Sequence, residues 1–227
     1  MLEQQNNVSH LILKGGAKDS LRNLLYLPLR TLVWSDKQTE DKGLRSLRVE
    51  RFRAIWPYLE GQILDIGSHD NTLINNYKAI EESSDAQKSL GIDVIDYGGG
   101  TMIVDDTSKL PFENNSFDTA SMLASLNYIP NKTDALYEIF RVLNDNGTII
   151  ISQPQPQIAK FIFFVKRLLK KQPMAGEPKQ NGKVSILTRK EIIDYCEPCG
   201  FQFTKEVRFN MGTNCIYIFS KKHNSKT

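Results

Sequence analysis

No stretch of this chain stays apolar for the roughly 18–20 residues that a membrane span requires, although 40% of its 227 residues are hydrophobic. The N-terminal stretch MLEQQNNVSHLILKGG lacks the basic start and apolar core of a signal peptide, so a cytoplasmic location is expected. Excess charge of either sign is small: 29 Lys and Arg against 26 Asp and Glu leave a formal net charge of +3, which by itself does not argue for a nucleic-acid binder, where a dense basic face is expected. Metal-ligating residues are few. The cysteines are Cys196, Cys199 and Cys215, and the histidines are His10, His69 and His223. CEPC at 196–199 has a metal-like spacing, but a structural zinc site takes four ligands and no second pair accompanies it. Gly200 follows at once, as at a helix C-terminus, whereas a redox motif opens a helix. The cysteines read as packing residues, and no metal is expected. Repeats and low-complexity blocks are absent too.

What is present changes texture near residue 62. Before it, SLRNLLYLPLRTLV reads as a short helix interrupted near Pro28. WSDKQTEDKG reads as a charged mobile loop. LRSLRVERFRAIWPYLEG places Leu44, Leu47, Phe52, Ile55 and Leu59 at mostly helical spacing. After it come short continuous apolar segments, QILDIG, SLGIDVI, TMIVDD, SFDTASML and GTIIIS, as expected of strands buried on both faces. TDALYEIFRVLNDNG is an amphipathic helix with Leu136, Ile139, Phe140 and Leu143 on one face and Gly147 after its end. Near the C-terminus, TRKEIIDYCEPCG opens with a capping box, Thr188 and Glu191. FQFTKEVRF and NCIYIFSKK then alternate as an antiparallel hairpin across NMGTN. Strands alternating with helices predict an α/β fold: a Rossmann-like, doubly wound, mostly parallel seven-stranded sheet with an antiparallel C-terminal hairpin. Ligands of such sheets sit at the strand C-termini.

LDIGSHDNTL, residues 64–73, is a strand–turn–helix segment of the kind that approaches a nucleotide closely. Gly67 stands at the first glycine position, while His69 and Asn71 occupy two further positions where glycine is expected. The dinucleotide fingerprint G-x-G-x-x-G is therefore missing, which counts against a dehydrogenase. Asn71 tolerates left-handed backbone. His69 must turn its side chain aside or form a pocket wall. Asp65 ends the first strand, where a carboxylate can accept from a cationic amine. Asp93 ends the second, where it can accept from both hydroxyls of a ribose. Capping of strand ends is the bland alternative for either one alone.

The most specific segment is DTSKLPF (106–112), then SFD (116–118), then LYEIFRVLNDNG (136–147). In order, spacing and residue type it resembles the class I S-adenosylmethionine-dependent methyltransferases, in particular the small type 11-like branch, over roughly residues 48–152 and more weakly over LTRKEIIDYCEPCGF. The resemblance implies S-adenosyl-L-methionine as cofactor. It places Asp65, Gly67, Ser68 and His69 in the first cofactor turn, and Asp93 with Val94 at the ribose. Asp106 and Thr107 lie beside adenine, and Leu123 and Ala124 on the methionine side. The chain departs from the family in the turn, Gly67-Ser68-His69-Asp70-Asn71 in place of G-x-G-x-G. A short glycine-rich link between GIDVIDY and TMIVDD also leaves no room for the usual helix.

Methyl transfer asks chiefly for in-line positioning of an acceptor against an already activated carbon, with a base if the acceptor is a hydroxyl. Tyr128 in SLNYIP, or His69 if it points inward, could orient the acceptor; packing is the alternative for both. Residues 1–60 read as an N-terminal helical extension packed on the core, and 61–222 as the methyltransferase domain with a lid-like insertion at 154–184 and a tail at 223–227. IAKFIFFVKRLLKK, with Phe161, Phe163 and Phe164 among lysines, suits a lipid-linked or anionic acceptor, with peripheral membrane contact through 158–171. A lid packed on the domain accounts for the same residues. Two readings stand: a methyltransferase acting on a small-molecule, glycan or lipid-linked acceptor, or a catalytically inactive methyltransferase-like binding or scaffold protein. A His69 side chain blocking the pocket would favour the second.

Overall fold

Strand β1 (Ile63–Ile66) is buried at every position. Ile63 faces one apolar cluster, while Leu64 and Ile66 face another. That alternation, the two-residue period of a strand, divides the whole interior. The computed structural model describes residues 2–158 and 186–222. Six further strands pair with β1: β2 (Leu90–Asp93), β3 (Met102–Ile103), β4 (Phe117–Leu123), β5 (Leu143–Pro154), β6 (Phe201–Phe209) and β7 (Asn214–Lys221). Their order is β3-β2-β1-β4-β5-β7-β6. β1 through β5 pair in parallel, and β7 is antiparallel to both β5 and β6. This is the expected doubly wound sheet with its C-terminal hairpin.

Helices cover both faces because neither face is polar. On one side lie α8 (Lys132–Val142) and α9 (Arg189–Cys196). Their residues Leu136, Ile139, Ile192 and Cys196 pack with Leu64, Ile149, Ile151 and Phe219. On the other lie α1 (Leu2–Leu13), α5 (Leu47–Ile55) and α6 (Thr72–Ile80). There Val8, Val49, Phe52, Leu73 and Ile74 meet Ile63, Ile150, Ile216 and Ile218. Cys196 and Cys199 are free and buried, and burial pushes the Cys199 thiol up to about 11, so both serve as apolar packing. Among the described residues no cluster of His, Cys, Asp and Glu could hold a metal. Nor is any described helix long and apolar enough to cross a membrane.

Between α1 and α5 run α2 (Ala17–Leu25) and α3 (Leu27–Leu32), broken just before Pro28 as the sequence suggests. The charged segment after them is not a loop. It forms α4 (Asp36–Asp41), whose N-cap Ser35 accepts from Gln38 N at 3.2 Å while Ser35 N donates to Gln38 Oε1 at 3.0 Å. This reciprocal capping box holds a short helix whose Thr39 and Glu40 are buried. α8 also stops earlier than Gly147 suggests, at Val142, with β5 beginning at Leu143. A short α7 (Ser84–Gln87) precedes β2. No helix joins β2 to β3, in agreement with the short link. Residues 159–185, which hold most of the lid-like insertion and of the basic–apolar stretch 158–171, lie outside the described residues, as does the tail 223–227.

β1 has β2 on one side and β4 on the other. The chain thus leaves β1 and β4 toward opposite faces, and a crevice opens at their C-terminal ends, as at the switch point of any open α/β sheet.

Candidate active site

Ile66 and Gly67 end β1, Asp93 and Val94 end β2, and Leu123 and Ala124 end β4. These residues meet around a cleft of about 480 Å³. Gly67 has φ +75°, and a Cβ on it would stand 2.4 Å from Ser125 Cβ, so only glycine fits this close approach. Ser125, which also lines the cleft, donates from Oγ to Ile66 O at 2.6 Å and pins the end of β4 to the end of β1.

His69 and Asn71 adopt φ +54° and +57°. They take the left-handed backbone that glycine would supply, at a steric cost that must be offset elsewhere. Hydrogen bonds and a ring stack supply the compensation. His69 N donates to Asp93 Oδ2 at 3.0 Å, and Thr101 Oγ1 donates to His69 O at 2.8 Å. Asn71 Nδ2 and Asn75 Nδ2 both donate to Gly99 O, at 3.4 and 3.0 Å. The His69 ring stacks on Tyr97 with centroids 4.0 Å apart and an interplanar angle of 20°. The glycine-rich link is therefore bolted onto the turn. Gly99 itself (φ +76°) has no room for a side chain, since a Cβ would lie 2.0 Å from Asp70 O. His69 contributes wall to the cleft without filling it.

Asp93 Oδ1 accepts from Val94 N at 2.8 Å and Ile95 N at 3.2 Å. Its carboxylate is fixed by three backbone donors and still borders the cleft. Asp65 is buried and accepts from Ser121 Oγ at 2.6 Å. Burial pushes its carboxyl up to about 7, against the opposing effect of the Ser121 hydrogen bond. It borders not the main cleft but an adjoining pocket of about 250 Å³, together with Ser68. Thr107 and Tyr128 line the cleft, Tyr128 about half exposed at its mouth.

Asp106 lines neither the cleft nor the adjoining pocket. Its carboxylate accepts from Ser108 N at 2.8 Å and Ser108 Oγ at 2.5 Å, and these bonds hold it below the usual carboxylate range. A local Asx turn has claimed it, and only its neighbour Thr107 reaches the wall. Conversely Ser125, Ile95 and Tyr97 line the cleft unforeseen, as do Arg48 and Arg51 in the adjoining pocket. Only the serine carried a usable signal, as the second residue beyond β4.

A seven-stranded sheet in this order, with its cleft at the ends of β1, β2 and β4, is the fold of the class I S-adenosylmethionine-dependent methyltransferases. Residues 74–151, about a third of the chain, match the family model of a methyltransferase domain. It is similar to a demethylmenaquinone methyltransferase of Lactiplantibacillus plantarum, 27% identical over 125 residues, half of this chain and 53% of that one. It is also similar to the sterol 4-C-methyltransferase strm-1 of Caenorhabditis elegans, 42% identical over 50 residues, 22% of this chain and 15% of that one. The chain thus spans about half the length, or less, of these curated relatives. An S-adenosylmethionine-dependent methyltransferase structure from Thermotoga maritima superposes with a TM-score of 0.55 at 15% identity, covering 90% of this chain and 98% of that one. The cofactor of the class is S-adenosylmethionine, and the residues fit it: Gly67 lines the cleft without a side chain, and Asp93 presents a fixed carboxylate to it.

Proposed function

We propose that the protein transfers the methyl group of S-adenosylmethionine to a small, largely apolar acceptor. The cofactor supplies a methyl carbon already activated by the sulfonium charge, so the protein's work is binding, orientation and exclusion of water. Asp93 accepts from the ribose hydroxyls with the lone pairs its backbone donors leave over. Thr107 borders the nucleoside side, and Leu123 and Ala124 the thioether side. Tyr128 orients the acceptor, and the stacked His69–Tyr97 pair walls the cleft.

One observation carries this reading: the turn lacking two glycines still adopts the glycine-like backbone, and the cleft beside it stays open at about 480 Å³. An apolar acceptor is supported by the mouth of the cleft, where Val94, Ile95, Tyr97 and Tyr128 are all exposed. Similarity to proteins named for demethylmenaquinone and for a sterol supports the same chemistry. The helices of residues 1–60 serve the site as a wall on its α5 side.

Calorimetric titration with S-adenosylmethionine and S-adenosylhomocysteine tests the reading. Micromolar binding is expected, weakened at least about tenfold by Asp93→Ala, the loss of hydrogen bonds to a charged group. No heat and no thermal shift at millimolar cofactor would sink it.

A further inference from the structure

An amphipathic helix on a folded domain turns its apolar side inward; α2 does the reverse. Its buried residues are Asp19 and Asn23, while Leu21, Leu24 and Leu25 are 56%, 45% and 70% exposed. At helical spacing the three leucines lie opposite Asp19 and Asn23. A polar network holds the inner side. Arg45 N donates to Asn23 Oδ1 at 2.7 Å, and Arg30 Nε donates to Asn23 O at 3.0 Å. Arg30 and Arg45 pair with Glu50 of α5 at 3.2 and 3.5 Å, and Arg45 pairs with Asp19 at 3.6 Å. These contacts dock α2 and α3 by their polar side and fix the leucines outward.

The apolar face continues through Tyr26 and Leu29, both exposed. Tyr26 stacks on Trp34 with centroids 6.0 Å apart, and Lys42 Nζ lies 5.3 Å over the Trp34 ring. Cations border the face. Lys18 and Arg22 are exposed on the flank of α2, and with Lys14 they line a depression of about 480 Å³. Asp19 is the one acid lining it, and it is already paired with Lys14 and Arg45. The exposed acids Asp36 and Asp41 sit on α4, accompanied by Lys37 and Lys42. Exposed leucines, a Tyr–Trp pair and a basic border suit the interface of an anionic bilayer. A second copy of this face would bring the same excess of cations to both sides of the contact.

We propose that the outward face of α2 and α3 docks on an anionic lipid bilayer, with Leu21, Leu24, Leu25 and Leu29 in the headgroup–acyl boundary and Lys14, Lys18 and Arg22 at lipid phosphates. α3 is anchored at the end of the sheet where the cleft opens. Arg30 Nη2 donates to Asn210 Oδ1 at 3.3 Å in the turn between β6 and β7, and that turn lies beside the C-terminal end of β5. A bilayer met at that end lies on the side from which an apolar acceptor enters. This consequence rests on the acceptor reading above, whereas lipid binding itself does not.

The test is co-sedimentation of the full chain with vesicles of phosphatidylcholine alone and with about a third phosphatidylglycerol. Binding to the anionic vesicles is expected, weaker in high salt and at least about fivefold weaker without phosphatidylglycerol. Leu21→Gln/Leu25→Gln should weaken it at least about tenfold. Lys18→Glu should weaken binding to the anionic vesicles alone. Both variants replace exposed residues and should melt with the wild type; if the leucine pair melts lower, Lys18→Glu decides. Wild-type protein that ignores both vesicles overturns the proposal. Anionic-vesicle binding unmoved by either variant does too, because it places the contact elsewhere on the chain. Equal binding to the two vesicle types overturns the anionic partner. A wild-type dimer that the leucine pair dissociates, without lipid binding, makes the face a contact between copies and overturns the bilayer as its occupant.

Discussion

The two sides of the cleft are built by opposite means. Around β1, β4 and β5 the chain is held by burial: Ile63, Leu64, Ala120, Met122, Ile149, Ile150 and Ile151 are fully inaccessible. At the β2–β3 edge almost nothing apolar is buried between Val94 and Ile103. There the turn and the glycine-rich link are held by side-chain hydrogen bonds from Asn71, Asn75 and Thr101 and by one aromatic stack. The first side is non-directional and tolerates volume-conserving change. The second is directional, and it allows His69 and Asn71 to stand where glycine would be usual. A turn can lose glycines if something else fixes its backbone.

The largest effect that separates the two sides comes from the buried one. Phe219→Ala removes a fully buried ring packed edge-on against Phe203 at 5.5 Å. It should cost about 3–5 kcal/mol by denaturant unfolding, with little change in cofactor affinity of the protein that remains folded. Gly99→Ala attacks the directional side. The left-handed backbone alone costs about 1–3 kcal/mol, and the clash with Asp70 O must displace the turn. Here affinity for S-adenosylhomocysteine should fall along with the melting temperature, which Phe219→Ala does not predict.

pH sharpens the comparison at Asp65, a buried carboxyl at the end of β1. The folded Asp65 carboxyl, at about 7, lies above its ordinary value of 3.8. The native state thus holds a proton that the unfolded chain releases. Its contribution to stability is complete below the unfolded value and is lost as pH rises through about 7. Asp65→Asn carries no such loss, so its melting temperature relative to wild type should rise between pH 5 and pH 8. A constant difference would refute the assignment. The smallest effect is Asn75→Ala, which removes one bond to Gly99 O and should cost about 1 kcal/mol, read as earlier hydrogen exchange in the link.

Much of this was legible from residues alone, and the failures have physical causes. Short Ile- and Val-rich runs announce strands, and all five read that way lie in the sheet, but β3, at its margin, is exposed and not buried on both faces. Helix α4 was missed because its charges suggested solvent, while the informative pair was Ser35 with Gln38, three residues apart. A motif match does not show local competition: Ser108, two residues beyond Asp106, offers its carboxylate two donors. Ser68, Asp93 and Ala124 lie at or just beyond strand ends, which sequence locates well, and Thr107 lies four residues past β3. Arg51 does not. It lies on α5 and lines the adjoining pocket only through the fold, a proximity in space with no counterpart along the chain.

The same sheet has two free margins, and their designs bear on how the protein behaves in a crowded solution. β3, at one margin, exposes Met102 and Ile103 but is two residues long. A foreign strand would find too few backbone groups there to register against. β6, at the other margin, is nine residues long, and its outer positions carry Gln202, Thr204, Lys205 and Arg208. Brevity guards one side and charge the other, so neither margin offers the long, flat, apolar template from which edge-to-edge aggregation grows.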